Sequence, residues 1–204
     1  MTPRSARTRQ DRWSDWAVIA VLVVALLLGW AVMAAARGQQ ATLVDAEAGL
    51  TVDYPRDWLL QAGNGLAFRA VDPHSGGWPT TYEVRLAPID ASAPLTPTLT
   101  MMLNNASLTR AQQSTAYRLL DLVPGDEIDG QPTMEATYAL VAEGDDPLAE
   151  RLPAVMLGLD VALAREGRVA VFSLVAPQHL FEGAERSFRA FVRSAAIAPP
   201  GSKP

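Results

Sequence analysis

The chain has 204 residues, with 17 Lys and Arg against 22 Asp and Glu, a net charge of −5 and no cysteine. An acidic balance excludes an extended nucleic-acid face, which needs a basic surface. Without cysteine there are no disulfides and no thiolate metal sites.

Residues 16–36 read WAVIAVLVVALLLGWAVMAAA, with no charged side chain, no proline and one glycine, Gly29. At about 1.5 Å per residue such a helix reaches roughly 30 Å, the thickness of a bilayer's hydrocarbon core. The spacing predicts a transmembrane helix over 16–36, with the lipid bilayer as its partner. Trp13 and Trp16 are placed as interface anchors at one end. The other reading is a signal peptide cut after Ala36, since Ala34 and Ala36 form a small-x-small site. Its apolar region should run only about 7 to 15 residues, and this one is longer. Arg4, Arg7, Arg9 and Arg12 precede the stretch, and Arg37 is the only basic residue between it and Arg56. The positive-inside rule then leaves residues 1–15 in the cytoplasm and exports the rest: a single-pass cell-membrane protein with an extracytoplasmic C-terminal part. Ala25 and Gly29 form a small-xxx-small pair that would let a second helix approach. Residues 1–36 carry four Arg and two Asp, so the exported 37–204 hold a net −7.

Residues 37–48 are short and polar and are expected to be a tether. From Gly49 the chain reads as one folded domain to residue 197. Leu50, Val52 and Tyr54 alternate with Thr51 and Asp53 as a half-buried strand. Residues 58–62 and 66–71 form a hairpin about Gly63-Asn64-Gly65, and 81–87 alternates with Tyr82, Val84 and Leu86 inward. A helix is expected over 97–112, capped by Thr96, with Leu99, Met102, Leu103 and Ala106 on one face. Strands follow at 117–123 and 131–142, then a loop over 143–153. A hairpin of two strands, 155–164 and 168–176, turns at Glu166-Gly167 and is apolar on both faces, as in the middle of a covered sheet. Pro177 opens a last helix to Ala195 that places Phe181, Phe188 and Phe191 together, and 198–204 form a disordered tail. The order is α+β: an antiparallel sheet with helices packed on it.

The succession GLTVDYPRDW, a helix, IDGQPTMEATYAL and GRVAVFSLVAPQHLFEGAERSFRAFVRS resembles the PsbP-like α/β/α sandwich superfamily. The resemblance rests on an aromatic-Pro-x-x-Trp turn (Tyr54, Pro55, Trp58), a Gly-led strand at Gly130 and a closing helix rich in Phe. Members include an extrinsic photosystem II subunit, a nuclear-import factor that binds a small GTPase, and bacterial envelope proteins. They share a scaffold rather than an activity, so the resemblance implies a binding module and carries over no site residue.

Candidate chemistry is sparse, and no cofactor motif is present. His179 and Glu182 stand i, i+3 as a metal pair, although Glu182 also complements a helix N-terminus. Asp126, Glu127 and Asp129 are too few for a calcium loop, and His74-Ser75 has no nucleophile elbow around it. Asn105-Ala106-Ser107 matches the glycosylation sequon within an expected helix. Arg186, Arg189 and Arg193 share one side of the closing helix, away from the Phe face, and form a possible face for an acidic partner. On a merely solvated face, Glu182 would pair with Arg186 and Glu185 with Arg189. The expected function is a membrane-anchored extracytoplasmic binding or assembly module with a protein partner. The alternative is an extracytoplasmic metal-dependent hydrolase, which would cluster His74 or His179 with two carboxylates in a cleft.

Overall fold

The computed structural model describes residue 16 and residues 18–30, 39–90, 92–143 and 152–199. These fall into two units, residues 1–39 and residues 40–204. In the first, residues 18–30 form helix α1, and all of their side chains are exposed. Among the described residues no helix is long and apolar enough to cross a membrane. Trp13 and residues 31–36 of the expected span lie outside the described residues, as does the stretch 144–151 of the expected loop.

The second unit is α+β, in layers. Its centre is a seven-stranded antiparallel sheet in the order β3-β4-β5-β9-β8-β7-β6. These strands are β3 (Leu59–Leu60), β4 (Phe68–Val71), β5 (Thr81–Pro88), β6 (Tyr117–Pro124), β7 (Thr133–Ala142), β8 (Ala154–Arg165) and β9 (Arg168–Pro177). As their two-sided apolar pattern requires, β8 and β9 are central. Their two-residue loop puts Glu166 at φ 52° and Gly167 at φ 72°. That pair of positive angles is the turn whose twist matches a hairpin, and glycine takes the second position without strain.

Helix α2 (Leu95–Gln113) lies on one face of this sheet, burying Leu99 and Leu103 among Met134, Ala136, Ala162, Val169 and Val171. Helix α3 (Phe181–Ser194) lies on the other, where Phe188 and Phe191 meet Phe68, Tyr82 and Phe172. Tyr82 anchors that aromatic core, 5.2 Å from Phe188 and 5.0 Å from Phe191 between ring centroids. A second sheet in the order β1-β2-β10, made of β1 (Gln40–Asp45), β2 (Leu50–Pro55) and β10 (Ala196–Ile197), joins the α3 side through Leu50, Val52 and Ile197.

Four expectations are corrected. Residues 40–45 are strand β1 rather than tether: Leu43 faces Val52 in the register and packs on the core, while Thr42 Oγ1 donates to Asp53 Oδ1 at 2.6 Å. The folded unit therefore begins at Gln40. Thr96 is not the cap of α2, which starts after Pro94 without any side-chain cap. Instead Thr98 Oγ1 donates back to the Pro94 carbonyl at 2.8 Å, satisfying one of the chain's own groups locally. Pro177 ends β9 opposite Met156 rather than opening α3. A turn closed by Leu180 N–H to the Pro177 carbonyl, 2.9 Å, separates the two. Of the expected 198–204 tail, Ala198 is tied down, its N–H donating to the Gly49 carbonyl at 2.8 Å, while residues 200–204 lie outside the described residues.

Candidate binding face

Antiparallel partners share a face, so the register can be read as rows across the sheet. One row on the α2 side is polar: Arg69 on β4 opposes Glu83 on β5, Glu83 opposes Ser173 on β9, and Ser173 opposes Asp160 on β8. The rows on either side of it hold Val171 and Ala162, or Val175 and Gly158. Helix α2 covers the β7–β8 end of the polar row and leaves the β4–β5 end wet, with Arg69, Glu83 and Arg85 on it.

At the covered end, Asp160 is 1% exposed. Arg110, from the last turn of α2, reaches down to it with both terminal nitrogens: Nη1 meets Oδ2 closely, and Nη2 donates to Oδ1 at 2.9 Å and to Ser173 Oγ at 3.0 Å. The guanidinium lies 4.5 Å from the centroid of the Tyr138 ring, a cation–π contact. Tyr138 in turn donates to Asp160 Oδ1 at 3.4 Å, and Tyr117 OH donates to Ser107 Oγ at 2.8 Å, so α2 is tied to β6 as well. Gly158 makes room for this arrangement, because a Cβ there would stand 2.1 Å from the Tyr138 ring. Burial pushes the Asp160 carboxyl above its usual range against the pull of Arg110. Burial is the largest influence on Arg110 and works against its charge, but Asp160, Tyr138 and Tyr117 together oppose it and the guanidinium ends above its ordinary value. The fork geometry is that of a charged pair, and the ionised state depends on Arg110 staying in place. Tyr138 is raised by burial first and by Asp160 next, so it stays neutral.

At the open end, Glu83 is shared by two arginines. Arg85 Nη2 donates to its Oε2 at 3.1 Å, while Arg69 Nε stands 3.6 Å from its Oε1. That Nε is buried and has no hydrogen-bond acceptor among the described residues.

The residues singled out by sequence lie elsewhere. Arg189 bridges α3 to the sheet, donating from Nη1 and Nη2 to the two oxygens of Glu135 at 2.8 and 2.9 Å and from Nε to Glu185 Oε1 at 3.0 Å. The bond to Glu135 is the largest of the effects that hold it above its ordinary value. Arg186 Nε donates to the Glu182 carbonyl at 3.4 Å, and Arg193 stands 3.9 Å from Asp126. Trp16, Ala25 and Gly29 are exposed on their own unit, and Trp13 lies outside the described residues. His74 stands 3.7 Å from Asp57 and 3.6 Å from Asp72, but on an open loop where its side chain is 73% exposed. His179 lines a shallow cavity of about 690 Å³ with Trp78 and Gln178, without Glu182. Among the described residues no group of three His, Cys, Asp or Glu side chains could hold a metal. Sequence reasoning missed Asp160 and Arg110; the signal was a lone carboxylate inside an otherwise apolar strand.

No protein-family profile and no curated protein matches the chain. Solved structures do. The solution structure of cyanobacterial PsbP (CyanoP) from Synechocystis aligns at 18% identity and a TM-score of 0.59, covering 78% of this chain and 92% of that one. The Ran-binding protein Mog1p of Saccharomyces cerevisiae aligns at 11% identity and a TM-score of 0.51, covering 79% and 96%. The fold is PsbP-like. At such identities the likeness concerns the scaffold alone, and it bears out the architecture expected from the turn at Tyr54-Pro55 and the Phe-bearing helix.

Proposed function

We propose that the chain is a single-pass, membrane-anchored extracytoplasmic module that binds or assembles with a protein partner. The observation that carries this reading is the sheet face that α2 covers only in part, with a preorganised charged row running from a sealed pair out to solvent. Strands fix such groups more tightly than loops do, which suits recognition. A PsbP-like fold in a protein that binds Ran supports the use of this scaffold for protein partners. The anchor rests on sequence: the uncharged run 16–36 and the arginines before it. On this reading Trp13 and Trp16 sit at headgroup level and the Ala25–Gly29 pair is open to another transmembrane helix. On α3, Arg186 and Arg193 are the arginines left for a partner, since Arg189 is occupied by Glu135 and Glu185. Protease added to spheroplasts tests the topology. It should remove the folded unit while leaving an N-terminal fragment in the membrane, and the chain should resist carbonate extraction. A mature N-terminus at Arg37 would replace the anchor by a cleaved signal.

A further inference from the structure

Glu83 supplies one carboxylate to two guanidiniums, and among the described residues it accepts from them one hydrogen bond of ordinary length, from Arg85. A guanidinium carries five N–H donors in a planar fork suited to bidentate carboxylate binding. The open end of the row therefore holds an excess of donors. Arg69 Nε is shielded from solvent and turned towards Glu83 at 3.6 Å, so a ligand would meet the exposed remainder of the two side chains, 38% exposed for Arg69 and 46% for Arg85. Beside it the register places Leu59 opposite Val71, two residues along β4 from Arg69 and so on the same face. Leu59 is 56% exposed, an apolar flank next to the charged fork.

We infer that Arg69 and Arg85 receive carboxylate side chains from an acidic segment of a partner protein, with Glu83 holding the two guanidiniums in position beforehand. This rests on the reading of the domain as a binding module. The positive charge is local: residues 37–204 carry a net −7, so the domain as a whole repels an anionic bilayer or a nucleic acid, which need a broadly basic surface. A short acidic motif needs only the fork and its apolar neighbour.

The test uses the full chain in mild detergent and a fluorescent oligoglutamate peptide, read by anisotropy. The inference expects saturable binding that weakens with salt. It expects loss of about tenfold or more in the Arg69→Gln/Arg85→Gln double variant and a comparable loss in Arg69→Lys because the fork is gone. Thermal unfolding is run in parallel, and the single variant Arg85→Gln, at an exposed position, serves if the double variant does not fold. Equal binding by a well-folded double variant overturns the inference. So does binding to phosphatidylglycerol vesicles in place of the peptide. If the peptide fails to bind while crosslinking still captures a partner in membranes, this face is removed and the binding-module reading stands. If capture fails too, both are removed.

Discussion

Replacing Arg110 by Ala leaves the Asp160 carboxylate buried, with the neutral hydroxyls of Ser173 and Tyr138 as hydrogen-bonding neighbours. Removing one member of a buried ion pair typically costs about 3–5 kcal/mol, because the surviving charge has neither water nor counter-ion. For a unit of this size each kcal/mol shifts Tm by about 2–4 °C, so Arg110→Ala should lower Tm by roughly 6–20 °C. The deficit has a pH signature. Burial already raises Asp160, and Arg110 is the first influence opposing it; without Arg110 the folded-state pKa moves further up. A group whose folded pKa is raised adds stability that is whole below its unfolded value, about 3.9, and is lost as pH rises towards the folded value. The variant should therefore be weakest near neutrality and recover towards pH 4. Urea titrations at several pH values measure this. Arg110→Met with Asp160→Leu, which removes both charges and keeps volume, should regain most of the loss. A single variant within about 1 kcal/mol of the parent at pH 7, or a double variant no better than the single, would refute the account of α2 as pinned through a buried charge.

Gly158→Ala should cost about 1–3 kcal/mol or more, since its Cβ would stand 2.1 Å from the Tyr138 ring; a loss of unfolding free energy below about 0.5 kcal/mol in denaturant titrations counts against the packing described. Above about pH 10 unfolding should become steeply easier, because Tyr82 and Tyr138 are both raised, by burial first, and stay neutral in the folded state while the unfolded chain ionises. Each contributes up to about 1.4 kcal/mol per pH unit, and Tyr82→Phe should flatten the profile measured by circular dichroism. Arg189→Ala should destabilise by about 1.5–3 kcal/mol through loss of its fork to Glu135, whereas Arg186→Ala should stay within about 0.5 kcal/mol; equal effects in thermal melts would contradict the assignment. Reversing Arg189 to Glu should unfold more than it uncouples, since the new carboxylate would face Glu135 and Glu185.

The parts legible in the sequence are those where one residue's neighbours along the chain decide its surroundings. The β8–β9 hairpin announces itself through Glu166-Gly167 between two apolar runs, and α3 through Phe residues at helical spacing. Strand β1 was hidden because it is an edge: in QATLVD only Leu43 packs on the main core, so the alternation is too weak to separate from a linker. The cap of α2 was misplaced because Thr98 bonds backwards within the helix, an option that propensity arguments do not weigh. The binding face was out of reach for a different reason. Arg69, Glu83, Ser173 and Asp160 come from four strands, and only the register puts them in one row. Asp160 alone could have been noticed, as the one carboxylate inside a strand otherwise apolar on both faces, but its partner lies 50 residues away on α2.

The reading of the chain as a binding module held at the membrane is tested by crosslinking intact cells with a reagent that does not cross the cytoplasmic membrane, followed by carbonate washing and detergent extraction. Discrete crosslinked adducts of fixed mass are expected, and they should stay with the membrane until detergent is added. A chain recovered only as an unlinked monomer in the carbonate supernatant would contradict that reading.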